Sequence, residues 1–153
     1  ALRQLDARAV IVGFGDYREQ LEHSAPERTL FTGPLEHRHL VHLLPLADVS
    51  VVPSIFPEAF GMVAAEAASA GVPPLVTRHS SIAEIAAGLE EVSTPELRAL
   101  ARLRGEELAP KLAELFALPP DARRELGLAA RRAAVERWSW SSVSERLLML
   151  QIG

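Results

Sequence analysis

Residues 55–76 read IFPEAFGMVAAEAASAGVPPLV, a mostly small and apolar run that nevertheless carries Glu58 and Glu66. Gly61 followed by alanine-rich sequence predicts a helix from Gly61 to Ala70, with Gly71 as its C-terminal cap. Behind it Leu75-Val76-Thr77 reads as a short strand after prolines that suit a strand's first residues. Ahead of it Val49-Ser50-Val51-Val52 reads as a strand closed by Pro53-Ser54. Glu58 therefore precedes a helix, and Glu66 lies inside it on a face shared with Met62, Val63, Ala67 and Ala70. A carboxylate on an alanine stripe calls for an explanation.

Working outward, the strand–helix alternation repeats. Ala9-Val10-Ile11-Val12 is an apolar run closed by Gly13-Phe14-Gly15, as a buried strand ending in a tight turn would be. Asp16 can cap a helix from Tyr17 to His23; Arg28 to Thr32 reads as a strand stopped by Gly33-Pro34. Glu36 to Leu44 is helical by its leucine spacing and ends at Pro45. Ser81 to Ala87 reads as a brief helix stopped by Gly88. Continuous apolar strands between helices predict an α/β fold, a parallel sheet covered on both faces. From Thr94 the pattern is helical only: Pro95 to Leu118 with a break near Pro110, then a helix capped by Asp121 and reaching Arg137, then a last one ending near Leu150. The expectation is one domain over residues 1–153, a βα core over 1–92 and a helical part over 93–153.

Bulk properties narrow the function classes. Hydrophobic content of 48% and charged content of 24% are those of a globular chain. A net charge of −4 argues against a nucleic-acid partner, which rewards excess Lys and Arg. No cysteine is present, so no disulfide framework or thiolate metal site is possible, and a cytoplasmic setting is expected. No run approaches the roughly 18 apolar residues of a membrane span, and no signal peptide is evident.

In an open parallel sheet, ligands sit beyond the carboxyl ends of the strands, where helix N-termini offer free amides. Four loops share that edge: Gly13 to Asp16, Gly33 to Glu36, Pro53 to Gly61, and Thr77 to Ser81. The third is the longest. Gly61 at its helix end lets a phosphate approach the amides of Gly61, Met62 and Val63, which carry a dipole of roughly half a charge. Glu58 would hang over that loop. An unpartnered inward carboxylate at Glu66 would cost several kcal/mol, so it meets either a ribose diol or an Arg or backbone network within the protein. The spacing leaves both open.

These residues resemble a known family. Pro53-Ser54, Glu58, Phe60-Gly61, Val63, Glu66-Ala67, Ala70, Gly71 and Pro73 resemble the signature of the family 4 (group 1) glycosyltransferases, retaining enzymes of the GT-B fold in which two Rossmann-like domains face each other across a cleft. Val12-Gly13, Phe31-Thr32-Gly33, Ala47-Asp48-Val49, Ala83-Glu84-Ile85, Leu126-Gly127 and Trp138-Ser139-Trp140 extend the likeness in the same order. The resemblance implies a Rossmann-like donor-binding domain, the C-terminal half of a GT-B fold, acting on a UDP-, GDP- or ADP-sugar without a metal or other cofactor. It implies that Glu58 is catalytic, binding the donor hexose and orienting or stabilising its reacting carbon. It further implies that Phe60, Gly61, Met62 and Val63 hold the diphosphate, that Glu66 takes the ribose hydroxyls, and that Gly33, Pro34 and Leu35 lie by the base. Gly13, Gly15, Arg78 and His79 would belong to a further donor loop.

The departures from the family pattern are specific. A strand and helix that usually precede the Ala9 strand, with an Arg and a Lys for the diphosphate, are not in this sequence, nor is the acceptor-binding N-terminal domain. Ser80-Ser81 stands where paired glycines are common, and Pro74 where valine is usual. The strand and turn usual between Gly88 and Leu97 are missing. The resemblance therefore implies a chain inactive alone, cytoplasmic, with peripheral membrane association open to the full-length protein.

Plainer readings stand beside these. His37, His39 and His42 on one helix form a solvated face rather than a metal site, and His23 is a surface residue. Gly13-Phe14-Gly15 lacks the third glycine of a dinucleotide fingerprint. Arg123-Arg124 and Arg131-Arg132 read as a charge-balanced solvated face, and Trp138 and Trp140 as anchors for the last helices. As a whole, the chain is read as a donor-binding domain, with a non-catalytic scaffold module of the same fold as the alternative and an epimerase or phosphorylase fragment behind both.

Overall fold

A computed structural model describes residues 1–54, 57, 59–78, 80–91 and 108–150. Strand β1 (Ala9–Val12), helix α1 (Arg18–Ser24), strand β2 (Thr29–Gly33) and helix α2 (His37–Leu43) come first. Strand β3 (Ser50–Val52), helix α3 (Met62–Ser69), strand β4 (Pro74–Val76) and helix α4 (Ile82–Glu91) follow. Helices α5 (Leu108–Ala117), α6 (Pro120–Trp138) and α7 (Trp140–Leu150) complete the described chain. The architecture is the expected one: parallel strands flanked by helices, with a helical C-terminal part.

The strands do not form one continuous sheet. β1 pairs in parallel with β2, and β3 with β4, as two separate ladders. On one side His37 at the start of α2 approaches Glu66 of α3. At the other end Leu5, just ahead of β1, packs with Val49, Val51 and Leu75.

The core gathers around α3, β4, α4 and α6. Ala64, Ala65 and Ala68 of α3 meet Ala130, Ala133 and Ala134 of α6, with Val76, Ile82, Ile85 and Leu89 beside them. Here lies the reason for the alanine stripe: it lets two helices approach closely. A Cβ added at Gly127 would stand 2.0 Å from the Gly71 carbonyl oxygen. A second cluster joins Leu75 to Leu112, Leu115 and Leu126 of α5 and α6.

Helix ends follow from local chemistry, with corrections to the sequence reading. Gly71 has φ +78°, and the amides of Gly71 and Val72 donate to Ala68 and Ala67 carbonyls at 2.9 and 3.0 Å, a Schellman closure. Gly88 does not stop α4. It lies buried within the helix because Trp138 fills the space a side chain would need, 2.7 Å from a built Cβ. Asp16 does not cap α1: Tyr17 holds the N-cap, after a turn in which the Arg18 amide donates to the Gly15 carbonyl at 3.1 Å. Asp121 likewise sits in the first turn of α6 behind an N-cap at Pro119, where its charge still favours the helix dipole. The described part of α5 runs through Pro110 without the break expected near it, while the expected helix start at Pro95 lies outside the described residues.

Trp138 anchors the core as expected, but Trp140 is 88% exposed and anchors nothing among the described residues. Arg123 is no solvated cation. Its guanidinium donates to the Phe116 and Leu118 carbonyls at 2.9 and 3.0 Å, tying the α5–α6 turn.

Candidate functional site

The carboxyl ends of the strands bring the expected loops together in two groups. The ends of β1 and β2 meet directly, since the Gly13 amide donates to the Gly33 carbonyl at 2.9 Å. The ends of β3 and β4 meet through Thr77, whose buried hydroxyl donates to the Ser54 carbonyl at 2.6 Å. That bond fixes where the Pro53–Gly61 loop leaves the sheet. Thr77 escaped the sequence reading because it looks like any strand-ending threonine; its place on the ligand-side edge was the available signal.

Gly61 opens α3 in a left-handed conformation, φ +87°, which disfavours any residue with a Cβ. Space forbids one as well, since a built Cβ would lie 2.9 Å from Ile82 Cγ1. The Gly61 carbonyl accepts from Ala64 at 3.0 Å, and no side chain among the described residues caps the helix. The first amides of α3 thus face outward without a capping group, the arrangement a helix offers to an anion. Phe60, just ahead, meets Trp138 edge-to-face with ring centroids 6.3 Å apart, pinning the loop to α6. Met62 and Val63 are exposed.

Glu66 is one turn further along α3, with 22% of its side chain exposed. Its carboxylate is not locked to an arginine among the described residues. The group that reaches it is His37, whose Nδ1 lies 3.4 Å from Oε1. His37 stays on the exposed face expected of it, 70% exposed, as do His39 and His42, and it reaches Glu66 from there. The turn Gly33, Pro34, Leu35 leads directly into α2, so the expected base-side loop and the expected ribose carboxylate are joined through this histidine.

Arg78 is engaged elsewhere: its guanidinium donates to Glu90 of α4 at 2.7 Å. Gly13 and Gly15 have open space around them. Glu58 and His79 lie outside the described residues. A cleft of about 160 Å³ between Asp48, Gly71, Pro73, Pro120 and Arg123 sits at the amino ends of β3 and β4, the edge opposite to where an open parallel sheet binds ligands. Another concavity lies along α1, between Asp16 and His23. Neither includes α3's first turn.

The family model described as glycosyl transferases group 1 matches residues 1–132. The chain belongs to that family. A GDP-mannose-dependent alpha-(1-6)-phosphatidylinositol dimannoside mannosyltransferase of Mycobacterium tuberculosis (strain ATCC 25177 / H37Ra) is 35% identical over 142 residues, covering 92% of this chain and 35% of the relative. A phosphatidyl-myo-inositol mannosyltransferase of Mycobacterium leprae (strain TN) is 31% identical over 146 residues, covering 94% and 37%. Among solved structures, sucrose-phosphate synthase from Thermosynechococcus elongatus superposes with a TM-score of 0.68 at 26% identity, covering 93% of this chain and 37% of that one. The chain thus spans about a third of the length of the curated relatives it matches. No helix of the described residues is long and apolar enough to cross a membrane.

Proposed function

We propose that this chain is the nucleotide-sugar donor-binding half of a retaining glycosyltransferase that moves a hexose from an NDP-sugar to an acceptor hydroxyl. The observation that carries the proposal is the start of α3: among the described residues its first amides have no capping side chain, and the carboxylate one turn below has no arginine partner. In this reading Phe60 to Val63 hold the diphosphate, Glu66 accepts from the ribose hydroxyls, and Gly33 to Leu35 line the base. Glu58 binds the hexose and steadies charge at the carbon under attack. A metal is not required, because amides and cations from the rest of the protein stabilise the departing diphosphate. The mycobacterial relative depends on GDP-mannose, so GDP is the first nucleotide to test.

The division into a βα core over residues 1–92 and a helical part over 93–153 belongs to the same proposal, as does an acceptor-binding domain elsewhere in the protein. Uncovered apolar faces support that second domain. Val10, Val12 and Leu30 share an exposed face of the first ladder, and Leu147, Leu148, Met149 and Leu150 are exposed on α7. The chain alone should bind donor weakly and transfer nothing. A cytoplasmic protein meeting the membrane peripherally fits relatives named for phosphatidylinositol lipids.

Calorimetric titration with GDP, UDP and ADP tests the site. One of them should bind in the presence of a chelator, and Glu66→Ala should weaken it about tenfold, the loss of about 1.4 kcal/mol expected for hydrogen bonds to a charged acceptor. No heat with any of the three sinks the proposal. The same exposed faces favour a second reading, a scaffold module without catalysis; self-association without nucleotide affinity would select it.

A further inference from the structure

Glu66 has no cationic neighbour on its own helix: α3 reads Met-Val-Ala-Ala-Glu-Ala-Ala-Ser, so nothing at three or four residues' distance can pair with it. Its partner arrives from another element. His37 begins α2 immediately after the β2 turn and brings Nδ1 to 3.4 Å from Glu66 Oε1. The imidazole is 70% exposed while the carboxylate is 22% exposed, so the histidine approaches from the solvent side, the side from which a ligand must enter.

The terminal torsion of a glutamate is broad, with two-fold character and little intrinsic preference. A contact to Oε1 biases that torsion, and Oε2, which takes no part in it, keeps lone pairs that can accept from a hydroxyl. The distance is longer than an ideal N–H···O bond, which steers the group rather than locking it. His37 follows the loop bearing Gly33, Pro34 and Leu35 and so links that loop to Glu66 of α3.

We propose that His37 is a positioning residue: it orients the Glu66 carboxylate for a vicinal diol and so makes the site select ribonucleoside diphosphates over those whose sugar lacks the hydroxyls. This rests on the donor-site reading above. His37 contacts Glu66 and acts through it, and the expected signature is a change in sugar discrimination rather than a uniform loss of affinity.

The test titrates the intact protein with GDP, UDP and ADP and with their 2′,3′-dideoxy counterparts. The unaltered protein should favour the ribose form about tenfold or more, and His37→Ala should cut ribose-form affinity about fivefold while changing the dideoxy form less than about twofold, in line with one modest polar contact. His37→Asn, whose amide nitrogen stands near the place of Nδ1, should recover most of the preference. In a Glu66→Ala background, His37→Ala should cost nothing further, the coupling a double-mutant cycle measures. His42→Ala, on an exposed part of the same helix, should change neither ligand class. Equal loss for both sugar forms, or no loss for either, overturns the role of His37 while leaving the donor site standing. No nucleotide binding by the unaltered protein overturns the donor-site reading and this inference together.

Discussion

The two strand pairs share one sequence pattern and one topology, yet they are built to different standards. Around β3 and β4 the core is closed: Ala64, Ala67, Ala68, Val76, Ile85, Ala86, Leu89, Ala130 and Ala133 have no exposed surface. Around β1 and β2, neither β1, α1 nor α2 contributes a fully buried residue, and Val10, Leu21, Leu30 and Val41 are about half exposed. Beyond the β1–β2 ladder and half-buried Ile11 and Phe31, the contacts that hold that region are polar and superficial. Arg3 donates to the Ser24 carbonyl, Arg28 pairs with Asp6, and Arg18 pairs with Glu22, contacts of a kind that contribute little each. The difference is not propensity, since both pairs are built from strand formers, Val10, Ile11, Val12, Leu30 and Phe31 in the first and Val51, Val52, Leu75 and Val76 in the second. It is cover. Helix α6 brings Gly127 and four alanines against the second pair, and no described element does so for the first.

The sharpest way to break this contrast is to spoil the close approach. Gly127→Ala places a methyl 2.0 Å from the Gly71 carbonyl oxygen. Backbone cannot yield as a side chain can, so the α3–α6 contact must open, at about 3 kcal/mol or more. Chemical denaturation should show that loss, and a cost below about 1 kcal/mol would mean the helices are not packed as described. A smaller effect sharpens the other side. Val10→Thr keeps shape and adds a hydroxyl on the open face of β1, so in a protein of residues 1–153 it should cost less than about 0.5 kcal/mol. If a further part of the protein covers this face, the same change in the intact protein should cost about 1.5 kcal/mol, the burial of an unpaired hydroxyl. Equal small costs in both would leave the face open in the whole molecule.

How legible was this in the sequence? The four strands, α3 with its Gly71 closure and the meeting at the strand ends of Gly13 with Gly33 and of the loops holding Ser54 and Thr77 all followed from apolar runs and glycine placement, which are local signals. The failures were tertiary. Gly88 reads as a helix stop until Trp138 is seen filling the space beside it. Arg123 reads as a surface charge until α5 presents its last carbonyls to it. Trp140 reads as an anchor, but nothing described covers it. At the site, Glu66 was found because a carboxylate among alanines is anomalous on its own helix. His37 was missed because its anomaly exists only between helices, and its sequence context of polar residues looks like any wet surface. The splitting of the sheet into two ladders was equally invisible, since strand order is not written in any single strand.

The smallest expected effect concerns a departure from the family pattern. Ser80 stands where glycine is common, and it adopts φ +54°, the one non-glycine residue with positive φ among those described. A left-handed conformation costs a residue with a Cβ about 1–2 kcal/mol, while glycine there gives back up to about 1 kcal/mol through its freer unfolded chain. The backbone part of Ser80→Gly is therefore a gain of about 0.5 kcal/mol, a shift of a few degrees at most in thermal melting, from which any bond the Ser80 side chain makes is subtracted. The Ser80 carbonyl would keep accepting from the Ala83 amide, now 3.1 Å away, because that bond needs only backbone. A loss of stability would show instead that the Ser80 side chain holds the β4–α4 turn. The gain should be the same in residues 1–153 and in the intact protein, since the turn belongs to the closed half. Val10→Thr should differ between the two, and that divergence separates a strained turn from an uncovered face.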